Sequence, residues 1–191
     1  KLWYDTPAHV WTEALPLGNG RLGAMVFGNP AIEHIQLNEE TIWAGQPNNN
    51  ANPDALENIP KVRQLVFEGK YQEAQTLATE KVMAKTNSGM PYQSFGDLHI
   101  SFPGHARYSN YYRELSLDSA RTVVRYDVDG VTYQRETLTS FADQVVMIRL
   151  TASQPGKITC NANFTTPHQD VMIASEGEDV TLSGVSSLHE G

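Results

Sequence analysis

Apolar and polar residues alternate along much of the second half of this chain. Beyond residue 95, apolar residues recur at every second position, beginning with Leu98, Ile100 and Phe102. The same alternation returns at residues 115–117, 122–128 and 131–135, and residues 180–185 predict a further strand. A period of two is typical of β-strands that bury one face. The Asp129-Gly130 pair between two of these runs predicts a hairpin turn.

Two other segments of this half carry apolar residues in a less regular pattern. The nearly continuous apolar run from Val145 to Leu150 predicts a strand in the centre of a sheet. Residues 158–164 predict a further strand, and Cys160 lies in phase with its apolar positions. We therefore expect Cys160 to be an inert thiol in the core.

Short strand-like segments also occupy the first forty residues. They cover residues 2–4, 10–17, 21–27 and 32–37, and the last two flank a turn at Gly28-Asn29-Pro30. Pro7 and Pro16 limit backbone pairing, so the first two segments should be edge strands.

Helical periodicity occurs between about residues 54 and 84. Val62, Leu65 and Val66 share one face of a helix that Pro60 should begin and Gly69 should end. Apolar residues recur at helical spacing after Gly69, so a second helix should follow. The whole pattern predicts a mainly β fold, a large antiparallel β-sandwich, with a helical hairpin inserted at about residues 54–84. We expect residues 1–191 to form a single domain.

Composition narrows the classes of function. The net charge is −8 and the basic residues are scattered, so the sequence predicts no nucleic-acid partner. The apolar runs are too short to predict a membrane span. The six histidines lack the spacing of metal ligands, and no serine lies in a nucleophile elbow. We therefore expect neither a metal nor another cofactor.

The stretch from Leu15 to Trp43 places polar and aromatic residues at the ends of its apolar segments. These residues are Asn19, Arg21, Asn38, Glu39 and Trp43. A surface edge with such side chains is suited to a polar ligand. The pattern is equally compatible with an ion pair between Arg21 and Glu39 that joins two loops, and the sequence leaves both alternatives open.

Two short motifs within this stretch do not support the chemistry they first suggest. Residues 18–23 match the dinucleotide fingerprint G-x-G-x-x-G, but Gly28 and Pro30 leave no room for the helix that it requires. Glu39 and Glu40 form a carboxylate pair of the kind that glycosidases use. Neighbouring residues of a strand point to opposite sides, however, so these carboxylates should not face one sugar together.

Several longer motifs occur in a characteristic order. They are Leu2-Trp3-Tyr4, WTEALPLGNGRLGAMVFG at 11–28, IQLNEETIWAG at 35–45, FEGKYQEA at 67–74, GDLHI at 96–100, YRELSLD at 112–118 and VDGVTY at 128–133. With these motifs the chain closely resembles the start of family 95 glycoside hydrolases, which are α-L-fucosidases or, in some members, α-L-galactosidases. The resemblance extends over nearly the whole chain.

This resemblance implies an amino-terminal β-supersandwich domain that precedes a helical (α/α)6 barrel, expected downstream of residue 191. In the family the barrel carries catalysis, by inversion, with a glutamate acid and a water activated by asparagine. No catalytic residue can therefore be transferred to this chain. The implied role is to frame the pocket of an exo-acting enzyme with Asn19, Arg21, Asn38, Glu39 and Trp43. The implied partners are the barrel and a fucosylated or galactosylated glycan.

Two alternatives remain beside this interpretation. One is a free-standing carbohydrate-binding module, which would bind sugar by itself. The other is the amino-terminal domain of a family 65 phosphorylase or hydrolase, which has a similar architecture. The family resemblance and the missing start methionine also predict a periplasmic or extracellular location in a bacterium. The isolated chain should self-associate through the face that bears residues 15–43, because an intramolecular docking face would be exposed.

Overall fold

The computed structural model describes residues 1–45, 49–84 and 90–186. The chain divides into two compact units, of which the first contains residues 1–42 and 93–186 and the second contains residues 43–92.

Strands dominate the first unit. They are β1 (Leu2–Tyr4), β2 (Leu15–Gly18), β3 (Leu22–Val26), β4 (Ile32–Glu39), β5 (Gly96–Ser101), β6 (Ser109–Ser116), β7 (Arg121–Val128), β8 (Val131–Ser140), β9 (Val145–Ala152), β10 (Asn161–Thr165), β11 (Met172–Glu176) and β12 (Asp179–Ser183). One antiparallel sheet has the order β1-β6-β7-β8-β9, which we call the first sheet, and another has the order β10-β5-β4-β3-β2, the second sheet. Strands β11 and β12 form a separate hairpin.

The core of this unit lies between the two five-stranded sheets, where the alternating residues of each sheet meet. From the second sheet it receives Leu15, Leu17, Ala24, Val26 and Ile35, and from the first sheet Leu115, with Val146 and Ile148 packed against them. Burying such side chains contributes roughly 1.5–3 kcal/mol each. The sequence prediction of a mainly β, antiparallel sandwich is therefore confirmed.

A buried ion pair joins the two sheets inside this core. Glu33 on β4 and Arg135 on β8 approach to 3.0 Å between Oε2 and Nη1, and both side chains are almost fully buried. The Gly28 amide donates to Glu33 Oε1 at 2.6 Å, and Arg135 Nη2 donates to the Asn29 carbonyl at 2.9 Å. These contacts offset part of the cost of burying the two charges, while Arg135 Nε and Nη1 have no hydrogen-bond partner among the described residues.

Three details of the predicted strands are wrong. The run 145–150 forms β9, which is the outermost strand of its sheet and not a central one. Cys160 is exposed and precedes β10, because the connection from β9 extends up to that residue. Within 10–17, residues Trp11–Glu13 form a 3-10 helix, and strand structure begins only at Leu15.

The second unit contains the predicted helical hairpin. Helix α1 spans Ala55–Phe67 and helix α2 spans Tyr71–Lys81. As predicted, Gly69 follows the end of α1: it has φ +76°, its amide donates to Val66, and the Lys70 amide donates to Leu65. This is the Schellman arrangement. Pro60 lies inside α1 and not in its first turn, so that expectation is wrong.

Neither helix resembles a membrane span. Across the described ranges, no helix has the length and apolar character needed to cross a bilayer.

Candidate functional site

Asn19 shapes the turn between β2 and β3. Its backbone amide donates to the Leu22 carbonyl at 3.1 Å, and its side-chain Oδ1 accepts from the amides of Arg21 and Leu22. Gly20 completes the turn with φ +94°, a conformation that glycine adopts without strain. Asn19 Nδ2 also donates to the Ser140 carbonyl at the end of β8, at 2.7 Å. The side chain of Asn19 is therefore buried in the scaffold and used to hold it.

The geometry of this turn supports the rejection of a dinucleotide site. Residues 18–23 form the end of β2, a tight turn and the start of β3. The glycines thus serve a hairpin, and no helix begins at them.

Arg21 and Glu39 form an ion pair at the ends of β3 and β4. Arg21 Nε lies 2.8 Å from Glu39 Oε1. The other carboxylate oxygen, Oε2, accepts from the Thr41 amide at 2.8 Å and from the Thr41 hydroxyl at 2.6 Å. The Glu40 amide donates to the Arg21 carbonyl at 3.0 Å, which joins the same two segments. The internal ion pair that the sequence left open is therefore present.

The same contacts fix the charge of Glu39. The Thr41 hydroxyl, then Arg21 and the Thr41 amide, lower the pKa of Glu39 to about 2. The Glu39 hydrogen bond in turn raises the pKa of Arg21. A general acid of a glycosidase needs a raised pKa. Glu39 is consequently suited to accept hydrogen bonds as a carboxylate and unsuited to donate a proton.

Arg21 retains donors for a further contact. Its side chain is 55% exposed, whereas that of Glu39 is 16% exposed. Within the described part of the chain, Nε is the one nitrogen of the Arg21 guanidinium in a hydrogen bond. Because Glu39, itself bonded by Thr41, accepts from Nε, the terminal N–H groups of Arg21 remain for a polar ligand or a docking domain.

Asn38 lies beside a cavity between the sheets. Among the described residues, its side-chain Oδ1 is buried without a hydrogen-bond partner. The cavity has a volume of about 330 Å³, and Asn38 and Glu39 line it together with apolar residues from β3, β4, β5, β9 and β10. Leu37, Leu98, Val146 and Ile148 of this lining also pack against the core. The cavity is thus lined mainly by apolar residues of the sandwich core, with Asn38 and Glu39 as its polar lining.

Trp43 belongs to the second unit, so it is described apart from the other four residues. It pairs with Tyr92 in an isolated antiparallel bridge, and the two rings lie 5.1 Å apart at 59°. The Trp43 side chain is 48% exposed. The structure therefore brings together Asn19, Arg21, Asn38 and Glu39 on the β2–β4 edge, which we call the polar edge.

The sequence analysis did not identify two features in and next to the second sheet. Thr41 holds Glu39 through both its amide and its hydroxyl, a local pattern that a Glu-x-Thr spacing can signal. His34 Nε2 lies 2.7 Å from Asp97 Oδ1 and its ring stacks on His99, although these residues are far apart in sequence. In the part of the chain that the structure describes, no cluster of histidine, cysteine or carboxylate side chains is arranged for a metal ion.

Comparison with known proteins agrees with the fold and with the motifs. Residues 2–190 match the model of the family described as glycosyl hydrolase family 65, N-terminal domain. Alpha-L-fucosidase 2 of Arabidopsis thaliana is 39% identical over 170 residues, which cover 86% of this chain and 20% of the plant protein. Probable alpha-fucosidase A of Aspergillus niger is 30% identical over 196 residues, which cover 96% of this chain and 24% of the fungal protein.

The chain thus spans about a fifth to a quarter of the length of these relatives. The matched region includes both sheets and the helical hairpin. The resemblance stated on the motifs, to the amino-terminal domain of a family 95 glycoside hydrolase of the α-L-fucosidase type, related to the family 65 amino-terminal domain, is confirmed. The chain therefore belongs to the family of glycosyl hydrolase family 65 N-terminal domains, and within it resembles the corresponding segment of the α-fucosidases.

Proposed function

We propose that this chain is the non-catalytic amino-terminal domain of an inverting, exo-acting α-L-fucosidase or α-L-galactosidase. In this proposal the polar edge and Trp43 frame the sugar pocket of a helical barrel that follows in the longer enzyme. The names of the relatives support the choice of a fucosidase. Fucosylated or galactosylated glycans are the corresponding substrates.

The observation that carries the proposal is the state of Arg21. Its charge is paired with Glu39, yet its side chain remains half exposed, and no described residue accepts a hydrogen bond from its terminal nitrogens. An ion pair that served the fold alone would gain little at such an exposed position, typically 0–1 kcal/mol. A preorganised arginine at a sheet edge is more useful as a contact for a hydroxyl-rich ligand or for the neighbouring domain.

Substitution of Arg21 in the longer enzyme tests the framing role. We expect Arg21→Ala to lower kcat/KM for an aryl α-L-fucoside by about tenfold or more, since one contact of about 1.4 kcal/mol corresponds to a factor of ten. The melting temperature should change little, because the side chain is exposed. Arg107→Ala, which removes an exposed arginine away from the polar edge, is the matched control. A variant with a lowered melting temperature and unchanged kinetics would show that the pair is purely structural.

A second measurement separates this role from that of a free-standing carbohydrate-binding module. Calorimetry of the 191-residue chain with neutral fucosylated oligosaccharides should detect no binding, because a framing residue contributes to a pocket that is built mainly by the barrel. Measurable affinity would favour the binding module. Inactivity of the same chain toward an aryl α-L-fucoside is expected, since the catalytic residues are assigned to the barrel.

The proposal includes a periplasmic or extracellular location. An exo-acting enzyme at either location would meet fucosylated or galactosylated glycans that lie outside the cytoplasm. Fractionation of cells that express the longer protein would test the location.

A further inference from the structure

The outer face of the first sheet contains a polar hollow that the proposed function does not use. It has a volume of about 510 Å³, and Lys1, Tyr112, Glu114, Arg121, Arg125 and Gln134 are among the residues that line it. Val123, which is 9% exposed, and Glu136 also belong to the lining. These residues lie on β6, β7 and β8, and they project away from the core because their neighbours in sequence are the buried ones.

An aromatic platform stands next to this hollow. Trp3 on β1 is directly opposite Glu114 on β6, so the two side chains lie on the same face of the sheet. The Trp3 ring stacks on Tyr112 with 6.3 Å between centroids and an angle of 20°. Lys1 Nζ donates to the Tyr112 hydroxyl at 2.8 Å, which holds the second ring. Trp3 remains 59% exposed, so a flat indole face is offered to solvent in a fixed orientation.

The carboxylates of the hollow are already engaged by partners within the protein. Glu114 accepts from Lys1 at 2.9 Å and from the Tyr112 hydroxyl, and these contacts lower the pKa of Glu114. Glu136 accepts from Arg121 at 2.7 Å and lies 3.6 Å from Arg149. The nearby Asp127 accepts from Asn110 at 2.7 Å and from Thr132 at 2.6 Å.

In contrast to these carboxylates, the side-chain N–H groups of Arg125 and Gln134 are not engaged by described residues. In the described residues, neither of these side chains makes a hydrogen bond or an ion pair. They are direct partners in the β7–β8 register and therefore lie side by side. Lys1, Arg121, Arg125 and Arg149 face the three carboxylates of Glu114, Asp127 and Glu136, so this face has an excess of one positive charge, although the whole chain has a net charge of −8.

We propose that this hollow binds an acidic glycan, a sugar chain that carries carboxylate or sulfate groups. Arg125 and Gln134 would donate to the anionic group, and Trp3 would stack on the apolar face of an adjacent sugar ring. A local positive region in an acidic protein selects anions through short-range contacts, while the long-range repulsion by the rest of the protein disfavours unspecific polyanions. This inference concerns a different face from the polar edge and does not rest on the proposed function.

Calorimetry of the 191-residue protein tests the assignment with four probes. Dextran sulfate and polygalacturonate should bind, whereas unsulfated dextran of the same length should not, because it lacks the anion. Polyglutamate should bind far more weakly, because it has charge but no sugar ring. Binding of only one of the two acidic glycans would identify sulfate or carboxylate as the recognised group and would also support the proposal.

Three variants assign the binding to this hollow. Arg125→Ala should weaken binding of the acidic glycan by about tenfold or more, which is the loss of about 1.4 kcal/mol. Trp3→Ala should also weaken it, with the same dependence on salt, because the indole contributes no charge. Arg107→Ala removes an equal charge outside the hollow and should leave the affinity unchanged within about twofold.

Several results would overturn the proposal. They are an absence of binding to both acidic glycans, equal binding to polyglutamate, equal binding to unsulfated dextran, and an equal loss in Arg107→Ala and Arg125→Ala. Unchanged melting temperatures of the variants confirm that the comparison is made between folded proteins.

Discussion

Glu39 is the residue whose ionisation is most firmly tied to the fold. Hydrogen bonds from Thr41 and Arg21 lower its pKa from an ordinary value of 4.5 to about 2. A carboxyl with a lowered pKa in the folded state stabilises the fold above its unfolded pKa, and this contribution is lost as the pH falls toward the folded pKa. Glu39 should therefore contribute to acid denaturation of this chain between about pH 4.5 and pH 2.

The variant Glu39→Gln tests this link. We expect it to be less stable than the parent at neutral pH and to show a shallower loss of unfolding free energy between about pH 4.5 and pH 2. Urea unfolding across this pH range measures both effects. Glu40→Gln removes the neighbouring carboxylate and is the control. Equal pH dependence in the parent and in Glu39→Gln would mean that the contacts of Glu39 are not kept in solution.

For individual residues, the sequence identified candidate site residues but did not decide between a structural and a ligand-binding role. It indicated that Arg21 and Glu39 were either a pair or separate ligand contacts, and the distance of 2.8 Å decides that they pair. It assigned Cys160 to the core, but the residue is exposed, because a phase shared with Ala162 and Phe164 has meaning only if the strand extends that far. Partners that are distant in sequence, such as His34 and Asp97, have no local signal.

The buried ion pair between Glu33 and Arg135 joins the two five-stranded sheets. Burial raises the pKa of Glu33, while the charge of Arg135 and the Gly28 amide oppose this shift. Removing Arg135 would leave the carboxylate without its cationic partner in the core. We expect Arg135→Met to cost about 3–5 kcal/mol of unfolding free energy, the usual cost of breaking a buried ion pair. The difference in unfolding free energy between the parent and Arg135→Met should become smaller as the pH is lowered, since protonation then neutralises Glu33.

A double variant provides the control for this prediction. The variant Glu33→Gln/Arg135→Met removes both charges of this pair, and glutamine can still accept from the Gly28 amide. We expect the double variant to be more stable than the sum of the two single changes predicts, as measured by chemical unfolding. Strict additivity would show that the two side chains do not stabilise each other.

Most strands could be predicted from the sequence because one face of each is buried. The alternation at 131–135 corresponds to buried Val131, Tyr133 and Arg135 on β8. The position of a strand within its sheet could not be predicted in the same way. Strand β9 contains a continuous apolar run, yet Val145 and Met147 are exposed and the strand lies at the edge. Hydrophobicity reports which residues are apolar and does not report which strands are neighbours.

The whole molecule combines a sandwich unit with a helical unit that carries an exposed apolar stripe. In the sandwich unit, the apolar residues of the stretch 15–43 are largely in the core, including Leu15, Leu17, Val26 and Ile35. In the helical unit, Leu56 and Phe67 lie three turns apart on one face of α1 and are 85% and 89% exposed. This helical stripe is therefore a second candidate surface for self-association, beside the face that bears residues 15–43.

Self-association of the 191-residue chain should increase with ionic strength. The net charge of −8 makes the molecules repel one another, and salt shortens the range of this repulsion to about 10 Å at 0.1 M. Contact between exposed apolar side chains persists under these conditions, because burial of apolar surface does not depend on charge. Light scattering across a salt series should therefore show a growing apparent mass.

Matched substitutions identify the surface that associates. Phe67→Gln should reduce the apparent mass at high salt, because it removes an apolar side chain of α1 that is 89% exposed. Phe141→Gln makes the same change at a 77% exposed residue in the turn between β8 and β9, and it should have little effect. A monomer at every salt concentration would show that the stripe alone is too small to associate. If Trp43→Gln restored the monomer and Phe67→Gln did not, the contact would lie with the motif residues that the sequence first indicated.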